Sequence, residues 1–273
     1  MWQRVNNFVR KHTVLSAFLF AALFTLLTAA GGLPLMSNPA MDQRIGIPAF
    51  TVYQVVLAAT GIILMRKLLL LDASDFKFKN VGKGLFLGWF IFVLMAVIVV
   101  TSFSSRSEYF IKPEPLFLLT VILFPFSTGL LEEVVYRGII LKMLLRKRSG
   151  TKKGILYAFV VSSVLFGVVH SVHFIWTTPL AVLSDIIFAV AGGVFLGAVY
   201  LRTKTLIAPI LLHGLNNLAS GVFTAFTSSD YTVPPATVDD VAVMLVVAVP
   251  LIIAALVLMR KVKPEEMGSQ VDV

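Results

Sequence analysis

Glu132, Glu133 and Arg137 stand inside an apolar run, Leu130-Leu131-Glu132-Glu133-Val134-Val135-Tyr136-Arg137-Gly138-Ile139-Ile140-Leu141. Lipid offers no water to solvate charge, and one ionised side chain near the bilayer centre costs about 2.5–3.5 kcal/mol on insertion scales. Three such residues within six work against folding unless something uses or compensates them. Glu133 and Arg137 are four apart, so they share a helical face and can pair, acid ahead of base. Glu132 is turned about 100° from its neighbour and faces a different partner. One Glu–Arg pair reads as a brace; a second acid beside it points to chemistry.

Three further polar features fall in apolar stretches. Phe166-Gly167-Val168-Val169-His170 puts Phe166 and His170 on one face, with His173 one turn beyond. His213-Gly214-Leu215-Asn216-Asn217 puts His213 and Asn217 four apart, and Gly214 permits close backbone approach. His173, close to Trp176, reads as interfacial. Asp185 has no basic partner at helical spacing and reads as an acid reaching for the outer interface.

Glutamate, two histidines and an asparagine in a water-accessible pocket make a hydrolytic set. Glu132 could take a proton from water, and His170 could hold and orient that water. His213 and Asn217, as donors, could face the oxyanion that develops on a scissile carbonyl. No serine or cysteine nucleophile motif accompanies them, so water would attack. Glu132, His170 and His213 would also suit zinc with an open position for water. Their spacing is not the His-Glu-x-x-His of zincins, and asparagine is a poor zinc ligand. On the residues alone, metal-bound and metal-free water both stay open.

Helices crossing a membrane must position these groups. The chain has 273 residues, 58% hydrophobic and 14% charged, where soluble domains run nearer 25% charged. Cysteine is absent, which excludes disulfides, thiolate metal sites and cysteine nucleophiles. Runs of about 17–25 apolar residues predict an all-α polytopic bundle of about eight transmembrane helices. These are Val14–Ala30, Ile47–Met65, Gly84–Phe103, Pro115–Leu145, Gly154–Trp176, Leu180–Leu201, Thr205–Phe226 and Val241–Met259. The first resembles a secretory signal, but the seven that follow favour a retained anchor. Of 23 lysines and arginines, 19 fall in the segments that are cytoplasmic if both termini are cytoplasmic; only Arg44, Arg106 and Lys112 lie outside and Arg137 lies within. The net charge of +9 thus follows membrane topology, and no nucleic-acid partner is implied. At 1.5 Å per residue, Glu132 lies roughly 15–20 Å, His170 roughly 20–25 Å and His213 roughly 12 Å from the cytoplasmic ends of their helices. Tilt and kinks at Pro125 and Pro209 can absorb the difference.

The ordered set resembles the CPBP family, the type II CAAX prenyl proteases and their bacterial relatives that process bacteriocins or confer immunity to them. The marks are Glu132-Glu133-x-x-x-Arg137, Phe166-x-x-x-His170 and His213-x-x-x-Asn217, in order and in separate spans. The resemblance implies an intramembrane endopeptidase of a bacterial cytoplasmic membrane, acting on a peptide or membrane-associated protein. It implies Glu132 as the water-activating acid with His170 beside it, and Glu133, Arg137 and Phe166 in support. His213 and Asn217 would bind metal or the oxyanion. It further implies an intramembrane cavity, conical and open towards the cytoplasm. The chain then divides into N-terminal spans (1–115), a catalytic core (116–226) and a last span with a short tail (227–273). A non-catalytic immunity or peptide-binding protein of the same fold is the alternative, and a proton-coupled transporter lacks the inverted repeats it would need.

Overall fold

The computed structural model describes residues 1–36, 42–72, 74–175, 177–228 and 230–268. Trp176, the expected end of one span, lies outside them. The described residues are almost entirely helical: α1 (Trp2–Lys11), α2 (Thr13–Met36), α3 (Gln43–Lys67), α4 (Val81–Leu87), α5 (Trp89–Arg106), α6 (Pro115–Glu133), α7 (Lys142–Arg148), α8 (Lys152–Val168), α9 (Pro179–Thr203), α10 (Ile207–Gly221), α11 (Val238–Met259) and α12 (Glu265–Gly268). Local sequence sets the ends. Glu114 caps α6 by accepting from the backbone N–H groups of Leu116 and Phe117 at 3.0 and 2.6 Å, ahead of Pro115 at the first helical position. Thr178 and Pro179 repeat the arrangement on α9, and Thr237 with Asp240 forms a capping box on α11.

The protein is a polytopic helical bundle. Among the described residues seven helices are long and apolar enough to span a membrane. The expected eighth, Thr205–Phe226, is shorter than predicted: α10 has 15 residues, then a 3-10 turn over Val222–Ala225. Fifteen residues rise only about 22 Å, less than the roughly 30 Å of hydrocarbon. It can be short because protein surrounds it, packed as it is on α6, α5 and α9. It still traverses the bundle: Leu206 donates to the Asp75 carbonyl at one end, and Phe226 accepts from Ile111 at the other.

The α6–α10 contact is made by backbone. A Cβ on Gly129 of α6 would sit 3.1 Å from both Gly214 N and Ile210 O of α10. Where lipid gives helices no hydrophobic drive to associate, such close approach supplies packing.

The basic segments gather at one end. Asn6 donates to the Lys67 carbonyl, Arg146 to that of Leu68, Lys83 to that of Arg202 and Arg202 to that of Lys261. A second buried ion pair braces this end: Lys142 Nζ lies 2.6 Å from Asp75 Oδ2, and Tyr200 donates to the other oxygen at 3.2 Å. Around it Met65, Leu68, Ile139, Ile140, Leu144, Leu201 and Leu206 are fully buried.

Gly129→Val would drive a branched side chain into backbone that cannot turn aside. Overpacking of this kind costs about 1–3 kcal/mol, so the variant is expected to unfold at lower temperature in detergent, and a melt matching wild type would refute the close-approach argument.

Candidate active site

Between α6 and α7 the chain stays helical but changes pitch: Val134–Leu141 forms a π-helix, every residue of it buried. Such wide turns are rare in the interior of a helix and frequent at functional sites. Here the π-helix begins immediately after the two glutamates and carries Tyr136 and Arg137.

The two acids occupy different surroundings. Glu133 is fully buried, while the Glu132 side chain keeps 26% of its exposure and lines a cavity of about 810 Å³. Glu133 Oε1 accepts from Arg137 at 2.7 Å and lies 2.9 Å from His213 Nδ1. Arg137 also donates to the Gly193 carbonyl of α9 at 3.0 Å, and its guanidinium lies 4.9 Å from the Phe166 ring centroid. One carboxylate thereby ties α6, the π-helix, α9 and α10 together.

His213 bridges the acids. Since the Glu133 carboxylate can only accept, Nδ1 carries the proton and donates. That fixes the ring so that Nε2 stands 3.4 Å from Glu132 Oε2. Phe166 stacks edge-on against His213 at 5.9 Å and His170 at 5.2 Å, filling the wall between them.

His170 follows α8, in a 3-10 turn over Val169–Ile175. Its Nδ1 lies 2.8 Å from the Phe166 carbonyl, so Nδ1–H donates and Nε2 keeps its lone pair. Glu132, His170, His213 and Asn217 all line the one cavity. The contacts differ from those expected of the residues: Glu132 pairs with His213, and His170 touches Phe166 and His173.

Other groups in the cavity carried weak signals or none. Tyr136 is four residues from Glu132 and lines the same wall, a position helical spacing could have flagged. Gln54 of α3 accepts from Ser127 at 2.7 Å and Thr128 at 3.1 Å. Asp185, expected to reach the interface alone, lies 2.9 Å from His173 Nδ1, and both line the cavity. That partner is on a different element, beyond the reach of helical spacing.

Among the described residues no three His, Asp or Glu side chains converge as a metal site. Glu132 and His213 supply two donors at a suitable separation, and a zinc site needs three from the protein. As arranged, Glu132, His170 and His213 do not converge as a three-donor set.

The cavity lies towards one end of the bundle. Most of its walls come from the bundle half away from the basic segments, so cytoplasmic basic segments and a cytoplasmic opening cannot both hold.

Three motifs in order, meeting around one buried carboxylate, direct the comparison with known proteins. Residues 114–219 match the family of type II CAAX prenyl endopeptidases, Rce1-like. The match spans less than half of the chain and contains all three motifs. No curated protein and no solved structure matches. At the level of the family, the Rce1-like match indicates a CAAX-type intramembrane protease with a membrane-associated peptide substrate.

Arg137→Met leaves a buried carboxylate without its cation. Breaking such a pair costs about 3–5 kcal/mol, expected as a large fall in the detergent melting temperature. Adding Glu133→Gln should recover part of it, and a double variant no better than the single would show that charge compensation is not the role of Arg137.

Proposed function

We propose that the protein is a glutamate-type intramembrane endopeptidase of a bacterial cytoplasmic membrane, with residues 116–226 as its catalytic core. One observation carries the reading: Glu132, His170, His213 and Asn217 share a cavity, with Glu132 set 3.4 Å from an imidazole whose tautomer a buried acid fixes.

Glu132 takes a proton from water as the water oxygen attacks the scissile carbonyl carbon. His170 Nε2 accepts the second hydrogen of that water and orients it. The carbonyl oxygen becomes an oxyanion and is met by the Asn217 amide N–H and by Nε2–H of a His213 that carries a proton on each ring nitrogen, Nδ1–H staying on Glu133; such donors are worth most where water is scarce. Collapse of the tetrahedral intermediate breaks the C–N bond, and protonated Glu132 returns its proton to the leaving amine. Glu133 and Arg137 stand behind the cavity wall and Phe166 forms part of it; together they hold His213 in register. Two convergent donors rather than three support a mechanism that runs on the protein's own groups.

The test is release of peptide fragments by purified protein in lipid. Removing the general base by Glu132→Gln is expected to cut turnover about 10²–10⁴-fold with little change in KM. Removing one oxyanion donor by Asn217→Ala costs about 10²–10³-fold. Turnover should survive a strong chelator at full rate; loss on chelation and recovery with zinc would replace the glutamate mechanism with a metal one. Undiminished cleavage by Glu132→Gln would sink the assignment, and peptide binding without cleavage by wild type would favour the non-catalytic alternative.

A further inference from the structure

The cavity opens from one half of the bundle and reaches to about its mid-depth. Most of its walls come from the second half of α2, the first half of α3, α9 as far as Leu196, the end of α8 and the second half of α10, with Ile91, Glu132, Tyr136 and Leu251 at its inner end. Along an antiparallel bundle these halves lie at the same end. Gln43, Ser220 and Thr224 line it and are exposed, which marks the mouth. No residue of α1, α4 or α7 lines it. Those helices belong to the other end, where Leu68, Leu144 and Leu206 are fully buried around the Lys142–Asp75 pair.

That closed end is also the basic end. Contacts of Asn6 with Lys67, Arg146 with Leu68, Lys83 with Arg202 and Arg202 with Lys261 hold its segments together. Lysine and arginine flanking short membrane spans stay in the cytoplasm. The mouth, near Arg44, therefore faces away from it.

We propose that the site opens on the extracytoplasmic face and takes its substrate there: a polypeptide segment already exported, or the outward-facing part of a membrane-inserted one. A segment arriving from the cytoplasm meets the packed end instead. The substrate class rests on the protease reading; the side of opening does not.

Because the chain contains no cysteine, each single-cysteine variant carries one thiol. Ser220→Cys and Thr224→Cys at the mouth are compared with Lys79→Cys and Lys152→Cys at the basic end, in intact bacterial cells treated with a membrane-impermeant maleimide. The mouth cysteines are expected to react in intact cells, and the basic-end cysteines only after permeabilisation. Mouth cysteines that react only after permeabilisation, or only in denatured protein, overturn the proposal. In a second arm, protein labelled from outside is purified and assayed. Modified Thr224→Cys should lose at least about tenfold in cleavage by obstruction, and identically treated Lys79→Cys should not. Equal activity in the two would overturn outside access. If the unlabelled protein cleaves nothing, the protease reading fails and the labelling pattern still decides the side.

Discussion

The buried carboxylate of Glu133 is the constraint from which the rest follows. An acid with no exposure, within a span, is tolerable only if its charge is met by well-placed donors. Arg137 and His213 meet it on a single oxygen, one from the same helical run and one from α10. Arg137 then needs company of its own, which α9 supplies through the Gly193 carbonyl and α8 through the face of Phe166. Four elements are thereby fixed against one another by polar contacts, in a medium where apolar packing alone discriminates poorly between arrangements.

Adjacent glutamates divide the labour because a helix turns. Glu133 faces protein and is spent on architecture; Glu132, one residue earlier, faces the cavity and keeps its carboxylate available. What joins them is an imidazole with two distinguishable nitrogens. Fixing Nδ1 on the buried acid aims Nε2 at the acid that lines the cavity, an outer contact that orients an inner one. The separation depends in turn on Gly129, since only a bare α-carbon lets α6 approach α10 to backbone contact.

Features that depend on spacing within one helix were legible in the sequence, and those that depend on distances between helices were not. Glu133 and Arg137 were readable as a pair because four residues return to the same face. The His213 bridge was not, because it rests on the separation of α6 and α10. Lys142 and Asp75 lie 67 positions apart with no pattern linking them. Asp185 looked solitary because its partner lies on another element. The helical class and most spans followed from apolar run length, but α10 was overestimated: hydropathy cannot distinguish a helix sheathed in protein from one facing lipid. The π-helix left no mark in composition. Orientation from basic residues and opening direction from resemblance were separate arguments, and only the coordinates brought them into conflict.

The packed end bears on the membrane as an electrical barrier. A water-holding chamber that enters a bilayer from one face thins the insulating layer beneath it, and the transmembrane potential drops mainly across what remains. Each elementary charge moved through that drop is worth about 2.3 kcal/mol per 100 mV. Tightly packed leucine, isoleucine and methionine, with the buried Lys142 locked onto Asp75, make an apolar floor. The chamber is a well rather than a channel, and the packed layer beneath it keeps its electrical resistance.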